Sequence, residues 1–204
     1  MSDPGGRLDP AIGLLEFDSI VAGIVAGDAM AKSSPVAALY AGTVHPGRYL
    51  VLVGGGTAEV EIALETGAGD SVLDSLFLAD VHPAVVTAIT TRDVGCGVEG
   101  EALGIVEASS VATAIVAADA GAKAADVSLE ALRLADGLGG SAYCLFTGVV
   151  ADIEIAIETA VAGTEHRESR VRAGVIAQLH QEMRDNLEAD LRFNHHLRQL
   201  DGAP

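Results

Sequence analysis

The feature of this 204-residue chain that most limits its fold is an internal duplication. Residues 11–36 read AIGLLEFDSIVAGIVAGDAMAKSSPV, and residues 102–127 read ALGIVEASSVATAIVAADAGAKAADV. The two segments align without a gap, and about half of their positions are identical. Later blocks, AEVEIALET at 58–66 and ADIEIAIET at 151–159, align after a shift of two residues. A period of about 90 residues is too long for a solenoid repeat, so it predicts two homologous domains.

Each copy carries the pattern of an α+β domain. The apolar run at its start predicts a buried strand, and Ser19 or Ser110 then stands as the N-cap of an Ala-rich helix. Two strands joined by a turn, a second helix, a last strand and a short closing helix follow. The order β-α-β-β-α-β is ferredoxin-like. The predicted divisions are a first domain over 10–90, a second domain over 101–187 and a C-terminal helical extension over 188–204.

Composition and charge exclude several classes of function. The net charge of −17 makes binding to nucleic acid or to an anionic membrane surface unfavourable, because both are negatively charged. No apolar run reaches the roughly 18–20 residues that span a bilayer, and the polar start MSDPGGRLDP is no targeting segment. Cys96 and Cys144 form neither a CxxC motif nor a disulfide framework. We therefore expect a cytoplasmic protein.

No arrangement of side chains predicts an enzyme. Glu16 and Glu107 could form a carboxylate pair for acid–base chemistry, but their equivalent places in the two copies favour a structural or interface role. His195 and His196 are adjacent on a predicted helix and point about 100° apart, so they chelate one metal ion poorly. The chain carries neither a Ser/His/Asp order nor an HExxH motif.

Two features of the repeat predict contacts with other molecules. Asp28 and Lys32 lie four residues apart on one helix face, and Asp119 and Lys123 repeat the pair, which indicates a repeated edge contact rather than a merely solvated face. In contrast, the turn TVHPG at 43–47 is not repeated: Asp136 stands near the place of its histidine, followed by the insertion. Copies that diverge at one place have different roles there.

The quoted segments resemble the bacterial microcompartment shell family, in particular its tandem-domain, trimer-forming members. The first strand and helix of each copy, including the helix lysine, are similar to those of the family. LADVHPAV at 78–85 and IAQLHQEM at 176–183 resemble its closing strand and its PRPH-type edge loop, and they align His82 with His180. Asp80 and Gln178 stand where that loop has arginine. The resemblance covers roughly residues 10–187.

The resemblance implies a structural shell subunit without catalytic activity. Three chains would form a pseudohexameric disc that contacts other shell proteins and passes small metabolites through a central pore. The turn His45-Pro46-Gly47 would face that pore, and the second-domain loop, longer by two residues, would lie off the axis. Residues at the edge of the disc would be Lys32, Lys123, His82 and His180.

The turn also raises the alternative of a metal or redox centre. Tandem members with Cys-Pro-Gly here are implied to hold an iron–sulfur cluster at the three-fold axis, and His45 replaces that cysteine. Three histidines plus water form an accepted zinc site, whereas a metal-free ring would change charge near neutral pH. We favour the metal-free ring because a solvent-filled pore seldom supplies the acceptors that orient metal-binding histidines. A small-molecule sensor is a further alternative, since ferredoxin-like trimers can bind ligands between subunits.

Overall fold

A computed structural model describes residues 8, 10–91, 100–135 and 137–189. It confirms two tandem α+β domains with the ferredoxin-like order. Cys96, Asp136, His195, His196 and most of the predicted extension over 188–204 lie outside the described residues. The elements of the first domain are β1 (Ala11–Phe17), α1 (Ile20–Ser33), β2 (Ala38–Val44), β3 (Arg48–Gly55), α2 (Thr57–Gly67), β4 (Val72–Leu78) and α3 (Pro83–Thr90).

The second domain repeats this series. Its elements are β5 (Ala102–Ala108), α4 (Val111–Ala124), β6 (Ser128–Leu134), β7 (Ala142–Gly148), α5 (Val150–Ala162), β8 (Val171–Ile176) and α6 (Gln181–Ala189). Each domain has a four-stranded antiparallel sheet, in the order β2-β3-β1-β4 or β6-β7-β5-β8. The first strand of each copy is therefore central, as its apolar sequence predicts.

Both predicted N-caps are confirmed. Ser19 Oγ accepts a hydrogen bond from the Ala22 N–H at 3.3 Å, and Ser110 Oγ accepts one from the Thr113 N–H at the same distance. These bonds satisfy backbone donors that have no partner inside the helix. The caps fix where α1 and α4 begin.

The two faces of the first sheet have different partners. Leu15 and Phe17 point to the face that α1 and α2 cover. Ile12 and Leu14 point to the opposite face and join one apolar core with α4 of the second domain. Since residues alternate between faces along a strand, β1 contributes to both its own core and the junction between the domains.

Candidate functional site

The junction between the domains contains a buried carboxylate, Glu16, near the end of β1. Its side chain is fully buried. Oε2 accepts a hydrogen bond from the Val111 N–H, the first residue of α4, at 3.0 Å, and Oε1 accepts one from Arg48 Nη1 at 2.6 Å. A carboxylate at this place is favoured by the free N–H groups and the positive end of the helix dipole.

The environment of Glu16 is structural rather than catalytic. Burial raises the pKa of Glu16 above its ordinary value, while the hydrogen bonds from Arg48 and Val111 oppose that effect. Both carboxylate oxygens are already occupied by groups of the chain. The interface role predicted for Glu16 fits this geometry, and its counterpart Glu107 is half-buried on the corresponding face of the second sheet.

A second polar group crosses the junction at Asp74 of β4. Asp74 is the cross-strand partner of Glu16. It accepts hydrogen bonds from Ser110 Oγ, from Thr113 Oγ1 at 2.8 Å and from Arg167 Nη2 at 2.5 Å. Arg167 Nε also donates to Thr113 Oγ1 at 2.8 Å. The start of α4 is thus held by two acidic side chains of the first domain.

The two helix pairs predicted from the repeat lie in different surroundings. Lys32 and Asp28 form an exposed ion pair at 2.5 Å. Lys123 bonds Asp119 at 2.7 Å and also donates to the backbone carbonyl of Asp80 in the first domain. Asp119 in turn accepts the His82 N–H at 2.7 Å. Only the second pair therefore belongs to the junction within the chain.

Helix capping is a role of the aligned histidines that sequence reasoning missed. His82 Nδ1 accepts a hydrogen bond from the Ala84 N–H at 3.2 Å, and His180 Nδ1 accepts one from the Glu182 N–H at 3.3 Å. Each histidine lies just before its short closing helix, which is the signal that sequence reasoning could have used. The role of these histidines at the disc edge, together with Lys32 and Lys123, remains a prediction from the sequence.

The turn His45-Pro46-Gly47 forms the exposed tip of the β2–β3 hairpin. The Gly47 N–H donates to the Val44 carbonyl at 3.0 Å, and Gly47 has φ +94°, a conformation that favours glycine. Arg48 follows at once, and its Nη1 lies 2.9 Å from the position that a Cβ on Gly140 would take. The two hairpin ends therefore lie side by side.

The two hairpins differ in length as the sequence predicts. The pair Thr43–Tyr49 encloses the five residues 44–48, and the pair Leu134–Ala142 encloses the seven residues 135–141. Three glycines of the longer loop, at 137, 139 and 140, have positive φ. The place corresponding to His45 is thus a longer, glycine-rich loop.

Within the described residues of one chain, no group of three or more His, Cys, Asp or Glu side chains could hold a metal ion. A site on a three-fold axis would instead draw one histidine from each of three chains. Cys144 is fully buried, and burial raises the pKa of its thiol to about 12, so it is an inert core residue. None of the helices described is long and apolar enough to span a membrane.

Comparisons with known proteins agree with the tandem fold. Residues 11–89 and 102–179 each match the family described as the BMC domain. The chain is 38% identical over 179 residues to the bacterial microcompartment shell protein PduT of Citrobacter freundii, covering 86% of this chain and 96% of the relative.

Two solved structures are similar to the chain. A microcompartment protein from Desulfitobacterium hafniense matches with a TM-score of 0.72 and 39% identity, over 86% of this chain and 98% of that one. A fused permuted hexameric shell protein from the RMM microcompartment matches with a TM-score of 0.53 over 78% of this chain and 92% of that one. At 19% identity, the second likeness concerns the fold alone.

Proposed function

This chain belongs to the BMC-domain family of bacterial microcompartment shell proteins, and we propose that it builds the shell as a homotrimer. The family is structural rather than catalytic, and its members assemble into oligomers within shells. Three copies would supply six similar domains. Head-to-tail contacts between unlike surfaces close into a ring when the rotation allows it.

The observation that carries the proposal is the difference in burial between α1 and α4. Ten of the fourteen residues of α4 are buried, but only three of the fourteen residues of α1. Val21 is 73% exposed where its counterpart Ala112 is fully buried, and Ile24 is 53% exposed where Ile115 is fully buried. An apolar helix face of this kind needs a covering partner, and the first domain shows what that partner is for α4.

The matching surface is open at the other end of the chain. Within the chain, β4 and α3 receive α4, and Val85 of α3 is fully buried there. In the second domain the counterpart of Val85 is Met183 of α6, which is 52% exposed, and Ile176 of β8 is 39% exposed. A second copy that places α1 on β8 and α6 would cover both exposed surfaces with one contact.

The test is to place a charge on the exposed face of α1. Val21→Asp should convert the trimer to a monomer, because the contact would bury an unpaired carboxylate. Ile62→Asp is the matched control: Ile62 is 47% exposed and its counterpart Ile155 is 48% exposed, so neither lies in the repeated junction. Light scattering should give the monomer mass for the first variant and the wild-type mass for the second. Unchanged mass of Val21→Asp would contradict the proposed ring.

We further propose that the turn at His45, Pro46 and Gly47 lines the central pore through which small metabolites pass. The exposed tip and its position beside the second hairpin support this, since both hairpin ends lie on the same side of the chain. Three copies would then bring three histidines towards one axis.

His45→Ala tests the pore assignment. The variant should keep the wild-type trimer mass while the structure of the pore changes. We expect no zinc that depends on His45 after dialysis against zinc and gel filtration, because the ring is proposed to be metal-free. Zinc bound by the wild type and lost in His45→Ala would instead support the metal-centre alternative. A crystal structure with His45 more than about 10 Å from the three-fold axis, far beyond the roughly 2 Å metal–nitrogen bond, would refute both.

Contact with other shell proteins is proposed to use the outer edge of the disc, with Lys32 as its most accessible member. In the single chain the Lys32 side chain is 73% exposed and pairs with Asp28, whereas the Lys123 side chain is 40% exposed and also donates to the Asp80 carbonyl of the first domain. His82 and His180 would shape the edge through the helices that they cap.

A further inference from the structure

We propose that Arg172 of one copy faces Asp18 of the next at the contact between copies. The base would then lie on the sheet and the acid would come from the docked domain, which is the reverse of the contact inside the chain. Inside the chain the acid, Asp74, lies on the sheet and the base, Arg167, comes from the docked domain. The inference rests on the proposed trimer. This charge pair would determine that the first domain of one copy docks on the second domain of the next.

The strand registers place Arg172 where Asp74 lies in the other copy. Glu16 of β1 pairs across the sheet with Asp74 of β4, and its counterpart Glu107 of β5 pairs with Arg172 of β8. Cross-strand partners share a face of the sheet. Arg172 therefore lies on the face of the second domain that corresponds to the junction. The Arg172 side chain is exposed, and within the described residues no side-chain hydrogen bond or ion pair involves it.

Backbone contacts identify the residue that would face Arg172. The Asp18 N–H donates to the Ser71 carbonyl at 3.0 Å, and the Ser109 N–H donates to the Arg170 carbonyl at the same distance. Asp18 therefore occupies the place of Ser109, just before the N-cap of the first helix. Inside the chain, Ser109 lines a cleft of about 500 Å³ together with Asp74. The corresponding cleft between copies would hold Asp18 opposite Arg172.

The loop before the last strand strengthens the reversal. Arg167 lies in the loop between α5 and β8, residues 163–170, whereas the loop between α2 and β4 has only residues 68–71. The shorter loop carries an exposed carboxylate, Asp70, and no basic residue. Asp18 and Asp70 thus present negative charge on the side of the first domain that would meet Arg172.

Glu107 gains a role from the same arrangement. Glu16 accepts the first N–H of α4, so Glu107 would accept the Ile20 N–H at the start of α1 in the next copy. Arg48 neutralises Glu16, but Ser141 stands at the place of Arg48 in the second domain. Arg172 is the cross-strand neighbour of Glu107 and would supply the missing positive charge at the contact between copies.

This arrangement disfavours wrong contacts. If α1 of one copy took the place of α4 on β4, Asp18 would meet Asp74. If α4 docked on the β8 of another copy, Arg167 would meet Arg172. Like charges brought together at an interface suppress the wrong partner, so first and second domains would alternate around the ring.

A charge-swap experiment on the full chain tests the pair. Arg172→Glu alone and Asp18→Arg alone should each weaken the trimer by roughly tenfold or more in sedimentation over a dilution series, with the loss growing at low salt. The double variant should recover most of the loss. Glu61→Arg is the control, because Glu61 and its counterpart Glu154 are both exposed and lie outside the junction. Thermal unfolding of each variant shows that the domains still fold.

The outcomes separate this inference from the proposed trimer. A wild-type chain that is monomeric overturns the trimer and the pair together. A trimeric wild type with an unaffected Arg172→Glu variant overturns the charge inference and leaves the trimer standing. Weakening by Arg172→Glu without recovery in the double variant overturns Asp18 as the partner. Weakening by both single variants with recovery in the double variant supports the pair.

Discussion

The helices α1 and α4 have closely related sequences but different surroundings. Ile24 and Val25 recur as Ile115 and Val116, yet Ile24 and Val25 are 53% and 65% exposed while Ile115 is fully buried and Val116 packs against the core. The difference arises because β4 and α3 of the same chain cover α4. The apolar face is covered within the chain in the second copy, and under our proposal a neighbouring chain covers the same face in the first copy.

The strongest test of this comparison uses the two equivalent glutamates. Glu16→Ala should lower the free energy of unfolding by about 3 kcal/mol, because it leaves Arg48 and the Val111 N–H without their partner. Glu107→Ala should cost much less in a single chain, since no contact of Glu107 comparable to those of Glu16 occurs in the described chain. Urea unfolding in the Val21→Asp background, which we expect to be monomeric, measures both. Equal losses of unfolding free energy in the two variants would contradict the proposed difference between Glu16 and Glu107.

The pH dependence of stability gives a second test of the buried position of Glu16. Burial raises the pKa of Glu16 above its ordinary value of 4.5, so the folded chain holds this proton more tightly than the unfolded chain. The stability from this group is therefore present below the unfolded pKa and is lost as pH rises through the folded pKa. Relative to Glu16→Gln, the wild type should become less stable across that window. A constant difference, or one of opposite sign, would contradict the assignment.

The smallest effect separates the two lysines. Lys123→Ala should cost about 1 kcal/mol, because it removes bonds to Asp119 and to the Asp80 carbonyl at a partly exposed site. Lys32→Ala should cost only about 0.3 kcal/mol, an amount that salt abolishes. Thermal unfolding at low and high salt measures both losses. If Lys32→Ala also leaves assembly into sheets unchanged on electron micrographs, its proposed edge role is wrong.

Much of the fold could be predicted because it depends on local signals that occur twice. The N-caps Ser19 and Ser110 and the two Asp–Lys pairs form as their spacing predicts. The unequal surroundings of the pairs could not be predicted in this way. They depend on which copy is covered by a surface from elsewhere in the same chain.

The polar junction was missed for a related reason. Glu16 meets Val111, 95 residues later in the chain, and Arg167 comes from a loop that is longer in the second copy. The sequence nonetheless contains the difference between Asp74 in the first copy and Arg172 at the equivalent position of the second. Recognising that difference required a strand register, because the sequence of the last strand diverges too far to align without one.

Native mass spectrometry of the wild-type chain tests the central claim most directly. If α1 of each copy docks on β8 and α6 of the next, three chains of 20.7 kDa should give one species of about 62 kDa. A species at 20.7 kDa across the working concentration range would contradict the account, because the exposed face of α1 would then have no partner.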